Sequence, residues 1–255
     1  MSEQGSVVLT DLHGHADKLR EAVAWYGDDT HFVINGDVLD RGPDSCETLN
    51  IIKDLDADLV LGNHEWAMLG AFNEQDSERR WAWLQLWLGK GGKVSGYEGN
   101  TLKSYGERQR SNELETAHYF KERLQKLGHL ALLQKSELYY EDDELLVVHA
   151  GLSTRLTWAR QQSKLDEASA LAKGRIYIDE PPQLISYEYA MDWERPSDVQ
   201  QTLITGHHHG RSKQTATRRF PEYGGKPTRV QLASSLIAGD PLFAYESWTG
   251  KITRF

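Results

Sequence analysis

Two short polar blocks in the first quarter of the chain carry residue types that could do chemistry together. GDVLDRG occupies residues 36–42 and GNHE occupies residues 62–65, and each follows a short apolar run. The blocks supply two carboxylates, an amide, an imidazole and a guanidinium, which belong to Asp37, Asp40, Asn63, His64 and Arg41. Carboxylate, amide and imidazole groups suit a hard or borderline divalent metal, and the planar guanidinium binds phosphate bidentately. The combination predicts metal-assisted chemistry on a phosphate.

Three further apolar runs end in residues of the same kind. Asp11 and His13 follow the first run, His149 follows a run in the middle of the chain, and His207 and His209 follow a later one. Each of these has an ordinary explanation when taken singly, because a lone histidine is more often a structural or surface residue. The same pattern at five run ends favours one shared metal site over five separate structural roles.

The apolar runs indicate how these residues would be positioned. Short apolar runs bounded by glycine predict buried strands, which we expect at residues 6–10, 31–35, 57–61, 202–205, 229–232, 242–247 and 251–255, with a hairpin over residues 138–148. Helical spacing after the first two strands predicts an α/β fold, and the late strands favour a mixed sheet or a two-sheet sandwich. Because open α/β sheets bind ligands outside the carboxyl ends of their strands, the polar sets should meet in strand-end loops.

Two stretches are harder to interpret and could cap the site of a single 255-residue domain. The first is residues 66–135, where four tryptophans at largely helical spacing predict a core-facing helix rather than an aromatic ligand platform. Within it, residues 89–106 are glycine-rich and predict a loop or lid, and residues 112–127 predict an amphipathic helix. The second stretch is residues 152–200, which contains a charged helical pattern.

Composition excludes several classes of function. The net charge is −9, which argues against a broad nucleic-acid-binding or anionic-membrane face. No run approaches the roughly 20 apolar residues of a membrane helix, and the first residues lack the pattern of a signal peptide. Cys46 is the one cysteine, which excludes an intrachain disulfide framework and fits a reducing compartment. We therefore expect a cytoplasmic protein, and an anionic substrate stays open because bound metals can dominate the local field.

The ordered blocks TDLHG, GDVLDRG, GNHE, HAG and GHHH resemble the motifs of the calcineurin-like metallophosphoesterase superfamily. They are most similar to its phosphoprotein-phosphatase branch, which includes bacterial serine/threonine protein phosphatases and symmetrical diadenosine tetraphosphatases. The resemblance spans most of the chain and implies a sandwich of two mixed sheets flanked by helices. Thr10 stands where the branch usually has glycine, and His209 matches a GHxH ending found in wider members of the superfamily.

The resemblance also implies a binuclear metal centre. Asp37 would bridge the two ions. The remaining ligands would be Asp11, His13 and His209 at one ion and Asn63, His149 and His207 at the other. Manganese is the first expectation for the two divalent ions, and iron, zinc or nickel would fit the same ligand types.

Three residues of the central blocks would act on the substrate, again by resemblance. Arg41 would hold the phosphate, and His64 would be the general acid, oriented by Asp40. The branch also uses a second substrate arginine, for which Arg195 is the candidate and Arg211 and Arg155 are weaker ones.

These roles predict a hydrolase acting on phosphate esters through in-line attack by a hydroxide held between the metals. The favoured substrate class is phosphomonoesters, as for a bacterial serine/threonine protein phosphatase, so the partner would be a phosphorylated protein or nucleotide. The alternatives are symmetrical hydrolysis of diadenosine tetraphosphate and, from the GHHH ending, phosphodiesterase activity. A metal-holding binding module with weak activity is the alternative from a different class. The substrate and the oligomeric state are left open by the sequence.

Overall fold

The computed structural model describes residues 5–88, 98–108, 110–173, 179–186, 188–189, 195–208, 217–219, 222–223, 226–232, 236 and 239–255. Its strands are β1 (Ser6–Thr10), β2 (His31–Asn35), β3 (Asp58–Val60), β4 (Tyr139–Glu141), β5 (Leu145–Val148), β6 (Thr202–Thr205), β7 (Thr217–Arg219), β8 (Glu222–Tyr223), β9 (Lys226–Pro227), β10 (Arg229–Leu232), β11 (Phe243–Glu246) and β12 (Ile252–Arg254). Its helices are α1 (Ala16–Tyr26), α2 (Ser45–Asp54), α3 (Asn63–Asn73), α4 (Ser77–Trp87), α5 (Glu98–Ser104), α6 (Glu113–Leu127), α7 (His129–Lys135), α8 (Trp158–Lys173) and α9 (Pro182–Ile185).

The strands form two mixed five-stranded sheets and one small ribbon, which confirms the predicted α/β class. The first sheet has the order β12-β11-β1-β2-β3, and the second has the order β4-β5-β6-β10-β7. In the first sheet β1, β2 and β3 are parallel, and in the second β5, β6 and β10 are parallel. The parallel strands of each sheet therefore present their carboxyl ends at a common edge.

Side-chain alternation along the strands gives each sheet two apolar faces. Val8 and Val33 of the first sheet pack with Val147 and Ile204 of the second in a buried cluster between the sheets. Their neighbours, such as Leu9, belong to a larger core that includes helical side chains. Because successive strand residues point to opposite faces, both faces of a sheet can be buried only if helices cover the outer one.

The segment between β3 and β4 contains five helices, α3 to α7, among the described residues. Asp76 begins α4 by accepting hydrogen bonds from the N–H groups of Glu78 and Arg79, which separates α3 from α4 where the sequence predicted one continuous helical face. Trp66 and Trp87 are buried in the core, whereas Trp81 is exposed. That the two stretches around residues 66–135 and 152–200 cap a single domain stays a prediction.

The predicted loop over residues 89–106 is wrong for residues 98–104, which form α5. Glycine content favoured a loop, but tertiary hydrogen bonds support the helix: Ser104 accepts one from the Cys46 N–H, and Thr101 bonds to Ser45. Residues 89–97 lie outside the described residues. Within the described part of the chain, none of the helices combines the length and the hydropathy needed to cross a membrane.

Candidate metal centre

Loops from both sheets meet at the carboxyl ends of their parallel strands. Backbone hydrogen bonds join the loops: the His13 N–H donates to the carbonyl of Asp37 over 2.7 Å, and the Gly206 N–H donates to that of His149 over 2.7 Å. These bonds fix the loop after β1 against the loop after β2, and the loop after β5 against the loop after β6. Between the sheets, the His207 N–H of the loop after β6 donates to the carboxylate of Asp11 in the loop after β1, so both sheets contribute side chains to one site.

Backbone strain is concentrated in these loops. Of the seven non-glycine residues with positive φ in the described part of the chain, six lie here, with φ between 43° and 67°: Asp11, His13, Asp37, Asp40, Arg41 and His207. Such conformations are costly and persist where the surroundings impose them, which is typical of functional sites. Glycine is required beside them, because a Cβ at Gly62 would collide with Asp37.

A buried cluster of imidazoles surrounds the carboxylate of Asp37. From its Oδ2 atom, the Nε2 atoms of His149, His13 and His64 lie at 3.4, 3.8 and 4.0 Å. Nδ1 of His207 lies 3.2 Å from Nε2 of His149. Two ligand groups therefore share Asp37, one containing His13 and His64 and the other containing His149 and His207.

The surrounding hydrogen bonds leave the inward nitrogens available as ligands. Nδ1 of His13 donates to the carbonyl of Leu39 over 2.9 Å, and Nδ1 of His149 donates to that of Asn35 over 3.2 Å. A backbone carbonyl accepts but cannot donate, so each ring presents Nε2 to the cluster. The buried Nε2 of His64 makes no hydrogen bond within the described residues. This donor set fits a pair of divalent ions sharing a carboxylate.

The charges in the cluster are strongly coupled. Burial opposes ionisation of Asp37, but His149, His64 and His13 together hold the pKa of its carboxyl well below the usual value. Burial also lowers the pKa of His149, yet Asp37 and Asp11 outweigh it and raise that pKa to about 9. In the absence of metal, the raised pKa values of His149 and His64 favour protonated imidazoles beside Asp37. Metal binding would replace the protons of these rings and release them.

Asp11 and Asn63 also lie in the cluster. Both carboxylate oxygens of Asp11 accept from the backbone N–H of His207, at 3.0 and 3.1 Å. Oδ1 of Asn63 lies 3.2 Å from Nε2 of His149. Asp11, His13, Asp37, Asn63, His149 and His207 are thus brought together, whereas His209 and Arg211 lie outside the described residues.

His64 and Asp40 form a pair at the edge of the cluster. Nδ1 of His64 lies 2.8 Å from Oδ2 of Asp40, and Thr101 of α5 donates to the other carboxylate oxygen over 2.8 Å. Burial lowers the pKa of His64, but Asp37 and the hydrogen bond to Asp40 raise it overall. Nη1 of Arg41 lies 3.3 Å from Nε2 of His13, so the guanidinium faces the same centre.

Arg195 is engaged elsewhere in the described structure. Its Nη1 donates to the backbone carbonyls of Gln200 and Gln201, at 2.5 and 2.6 Å. Arg155, the weaker candidate, pairs with Glu188 at 3.5 Å, and both side chains are exposed. Of the arginines predicted to bind the phosphate, Arg41 is therefore the one that the described structure places at the cluster.

Glu65 and Thr101 support the site and were assigned no role from the sequence. The carboxylate of Glu65 accepts hydrogen bonds from four backbone N–H groups, which belong to Asp37, Val38, Leu39 and Gly62. It thereby holds the GDVLDRG loop on the GNHE loop. Glu65 could have been found from the sequence, because it belongs to the GNHE block. Thr101 could not, because it lies in a stretch whose glycines predict a loop.

A model of the calcineurin-like phosphoesterase family matches residues 6–211, a range that contains every metal ligand predicted from the sequence. The chain belongs to the calcineurin-like phosphoesterase family. This confirms the resemblance drawn from the five motifs.

Named relatives of this calcineurin-like phosphoesterase are symmetrical bis(5′-nucleosyl)-tetraphosphatases. The chain is 28% identical to that of Vibrio parahaemolyticus over 192 residues, covering 72% of this chain and 56% of the relative. It is 25% identical to that of Nitrosomonas europaea over 168 residues, covering 65% of this chain and 50% of the relative. The matches thus span about half the length of these curated relatives.

Solved structures share the fold of this calcineurin-like phosphoesterase. A crystal structure described as a candidate diadenosine tetraphosphatase superimposes with a TM-score of 0.57 at 18% identity, covering 100% of this chain and 94% of the other. A cold-active protein-tyrosine phosphatase of a psychrophilic Shewanella species superimposes with a TM-score of 0.53 at 18% identity. The match covers 99% of this chain and 80% of the other. At this identity the likeness shows the fold alone.

Proposed function

We propose that the chain is a metal-dependent phosphoesterase that hydrolyses dinucleoside tetraphosphates symmetrically, into two nucleoside diphosphates. The observation that carries the hydrolase assignment is the pair of ligand groups sharing Asp37, with Arg41 facing the same centre. The relatives favour the dinucleotide, because those found are symmetrical tetraphosphatases. From the sequence alone, the first expectation is a protein phosphatase. The relatives give better support to the alternative, symmetrical hydrolysis of diadenosine tetraphosphate.

The residues of the site would have separate roles in metal binding, phosphate binding and proton transfer. Asp37, Asp11, His13, Asn63, His149 and His207 would hold two divalent ions. When bound, such ions activate a water molecule and neutralise phosphoryl oxygens. Arg41 would stabilise negative charge developing on the transferred phosphoryl group. His64, kept in orientation by Asp40, would give its Nε2 proton to the departing oxygen.

A phosphoserine or phosphothreonine protein is the second candidate substrate. The His64–Asp40 pair favours it, because an alkoxide leaving group needs a proton donor. The diphosphate leaving group of a dinucleotide is a weaker base and needs that proton less. The two candidates therefore differ in how strongly turnover should depend on His64.

Parallel turnover assays test the proposal. The protein would be stripped of metal, reloaded with Mn²⁺, and given diadenosine tetraphosphate or a phosphoserine peptide at matched concentrations. We expect a higher kcat/KM for the dinucleotide. A higher value for the peptide would overturn the substrate assignment, and no Mn²⁺-dependent turnover of either would overturn the hydrolase assignment.

A further inference from the structure

An apolar-walled cavity of about 380 Å³ lies between α8 and the segment around α9. Leu165 and Ala168 of α8 form one wall, Pro181 and Pro182 form another, and Tyr189 adds an aromatic side. Its volume falls in the roughly 300–1,000 Å³ range of small-molecule pockets, which typically combine apolar walls with a few polar groups.

Glu180 lies in a segment that contacts both this cavity and the loop of His149. It lines the cavity, and its carboxyl is close enough to Asp37, His149 and His64 for their charges to affect it. The segment is tied to the loop after β5, because the Ala150 N–H donates to the carbonyl of Gln183 over 2.6 Å. The segment that carries Glu180 therefore packs on the loop that carries His149.

The carboxyl of Glu180 is also incompletely satisfied. Its Oε1 atom is buried and makes no hydrogen bond within the described residues. A buried polar atom without a protein partner is destabilising, so a hydrogen-bond donor that enters from the cavity would stabilise it. Without bound metal, burial and the charge of Asp37 raise the pKa of Glu180 to about 8.

We propose that the cavity receives one nucleoside of the dinucleotide and that Glu180 hydrogen-bonds the ribose hydroxyls. The inference rests on the proposed function and names the part of the substrate that this wall recognises. The order of chemistry along a nucleotide is phosphate, ribose and base. In the structure the segment of Glu180 packs on the loop of His149 and lines the apolar cavity, and a carboxyl suits ribose hydroxyls as it does in dinucleotide-binding folds.

The test compares diadenosine tetraphosphate with its analogue lacking both the 2′ and 3′ hydroxyls. Wild type should prefer the natural dinucleotide by about 10- to 100-fold in kcat/KM, the equivalent of hydrogen bonds made by a buried polar group. Glu180→Ala should reduce the preference to less than about threefold. Glu180→Gln should keep most of it, because the amide can still accept from a hydroxyl. A preference retained by Glu180→Ala, or absent from wild type, overturns the inference.

A matched pair of tryptophan substitutions tests the cavity itself. Leu156 is half-buried and lines the cavity, so Leu156→Trp should lower kcat/KM for the dinucleotide at least about tenfold by excluding its base. Ala170→Trp, on the exposed side of α8, should leave turnover unchanged. Equal effects of the two substitutions on dinucleotide turnover would overturn the assignment of the cavity.

Calorimetric binding of ADP and of 2′,3′-dideoxy-ADP to the Mn²⁺-loaded protein separates this inference from the proposed function. If the dinucleotide is not hydrolysed, the proposed function fails. Tighter binding of ADP in wild type, lost in Glu180→Ala, would still support the ribose contact. Equal binding of the two nucleotides would overturn it.

Discussion

The strand-end loops and the wall formed by α8 and α9 differ in how firmly the chain holds them. In the loops, the buried candidate metal-binding residues have strained φ angles. Their backbone is held by hydrogen bonds, including the four N–H bonds to Glu65. In the wall, exposed side chains such as Lys164 and Glu167 surround an open cavity. The groups of the candidate metal centre are thus preorganised, and we expect substrate choice to depend on the more open surface. Loop substitutions should reduce turnover of every substrate, and wall substitutions should change the ratio between substrates.

The largest effect is expected from Asp37→Asn. This change removes the carboxylate shared by both ligand groups, so metal content and activity should fall together. Two contributions of about 10²–10³-fold each would be lost, giving a decrease in kcat of roughly 10⁴-fold or more on all substrates. Metal analysis and turnover check this. Full activity with one ion bound would contradict the role of Asp37.

His64→Asn should keep the metal and lower kcat by about 10²–10³-fold on a phosphoserine peptide. The loss on diadenosine tetraphosphate should be smaller, because its leaving group needs a proton less. Metal content measured on the same sample is the control. An unchanged rate on the peptide would show that His64 is not the acid.

Glu65→Gln should destabilise the protein by about 3 kcal/mol, because an amide cannot accept all four backbone bonds and places N–H groups against N–H donors. Chemical denaturation measures the loss. Glu78→Gln, an exposed site on α4, is the matched control. Equal stabilities of the two variants would mean that Glu65 does not hold the loops together.

Thr101→Val should lower kcat by about tenfold, the scale typical of losing a supporting hydrogen bond behind a functional side chain. The valine fills the same space but cannot donate to Asp40 or accept from its N–H. Thr101→Ser keeps the hydroxyl and should behave like wild type. If the serine and valine variants lose activity equally, the hydroxyl is not what matters.

The smallest effect is expected in the wall. Lys164→Ala removes an exposed cation at the cavity and should raise KM for the dinucleotide about twofold at low salt, with no effect on the peptide. Lys126→Ala, an exposed site on α6, is the control. A KM rise that persists at high salt would argue against a simple electrostatic role.

The sequence predicted the loops better than the wall. Asp37 and His64 could be placed because each comes within two residues of a glycine that ends a short apolar run, so local pattern predicts both the strand and the loop after it. Thr101 could not, because its partner Asp40 is 61 positions away and the surrounding glycines favoured a loop. Glu180 belongs to no motif, and only the packing of its segment on the loop after β5 connects it with the site. Long-range contacts of this kind leave no local signal.

The product of diadenosine tetraphosphate hydrolysis by the Mn²⁺-loaded wild-type protein tests the central claim most directly. We expect ADP as the sole nucleotide product, formed only when metal is present and abolished by Asp37→Asn. Release of AMP and ATP, or an intact dinucleotide under conditions in which the phosphoserine peptide is dephosphorylated, would contradict it.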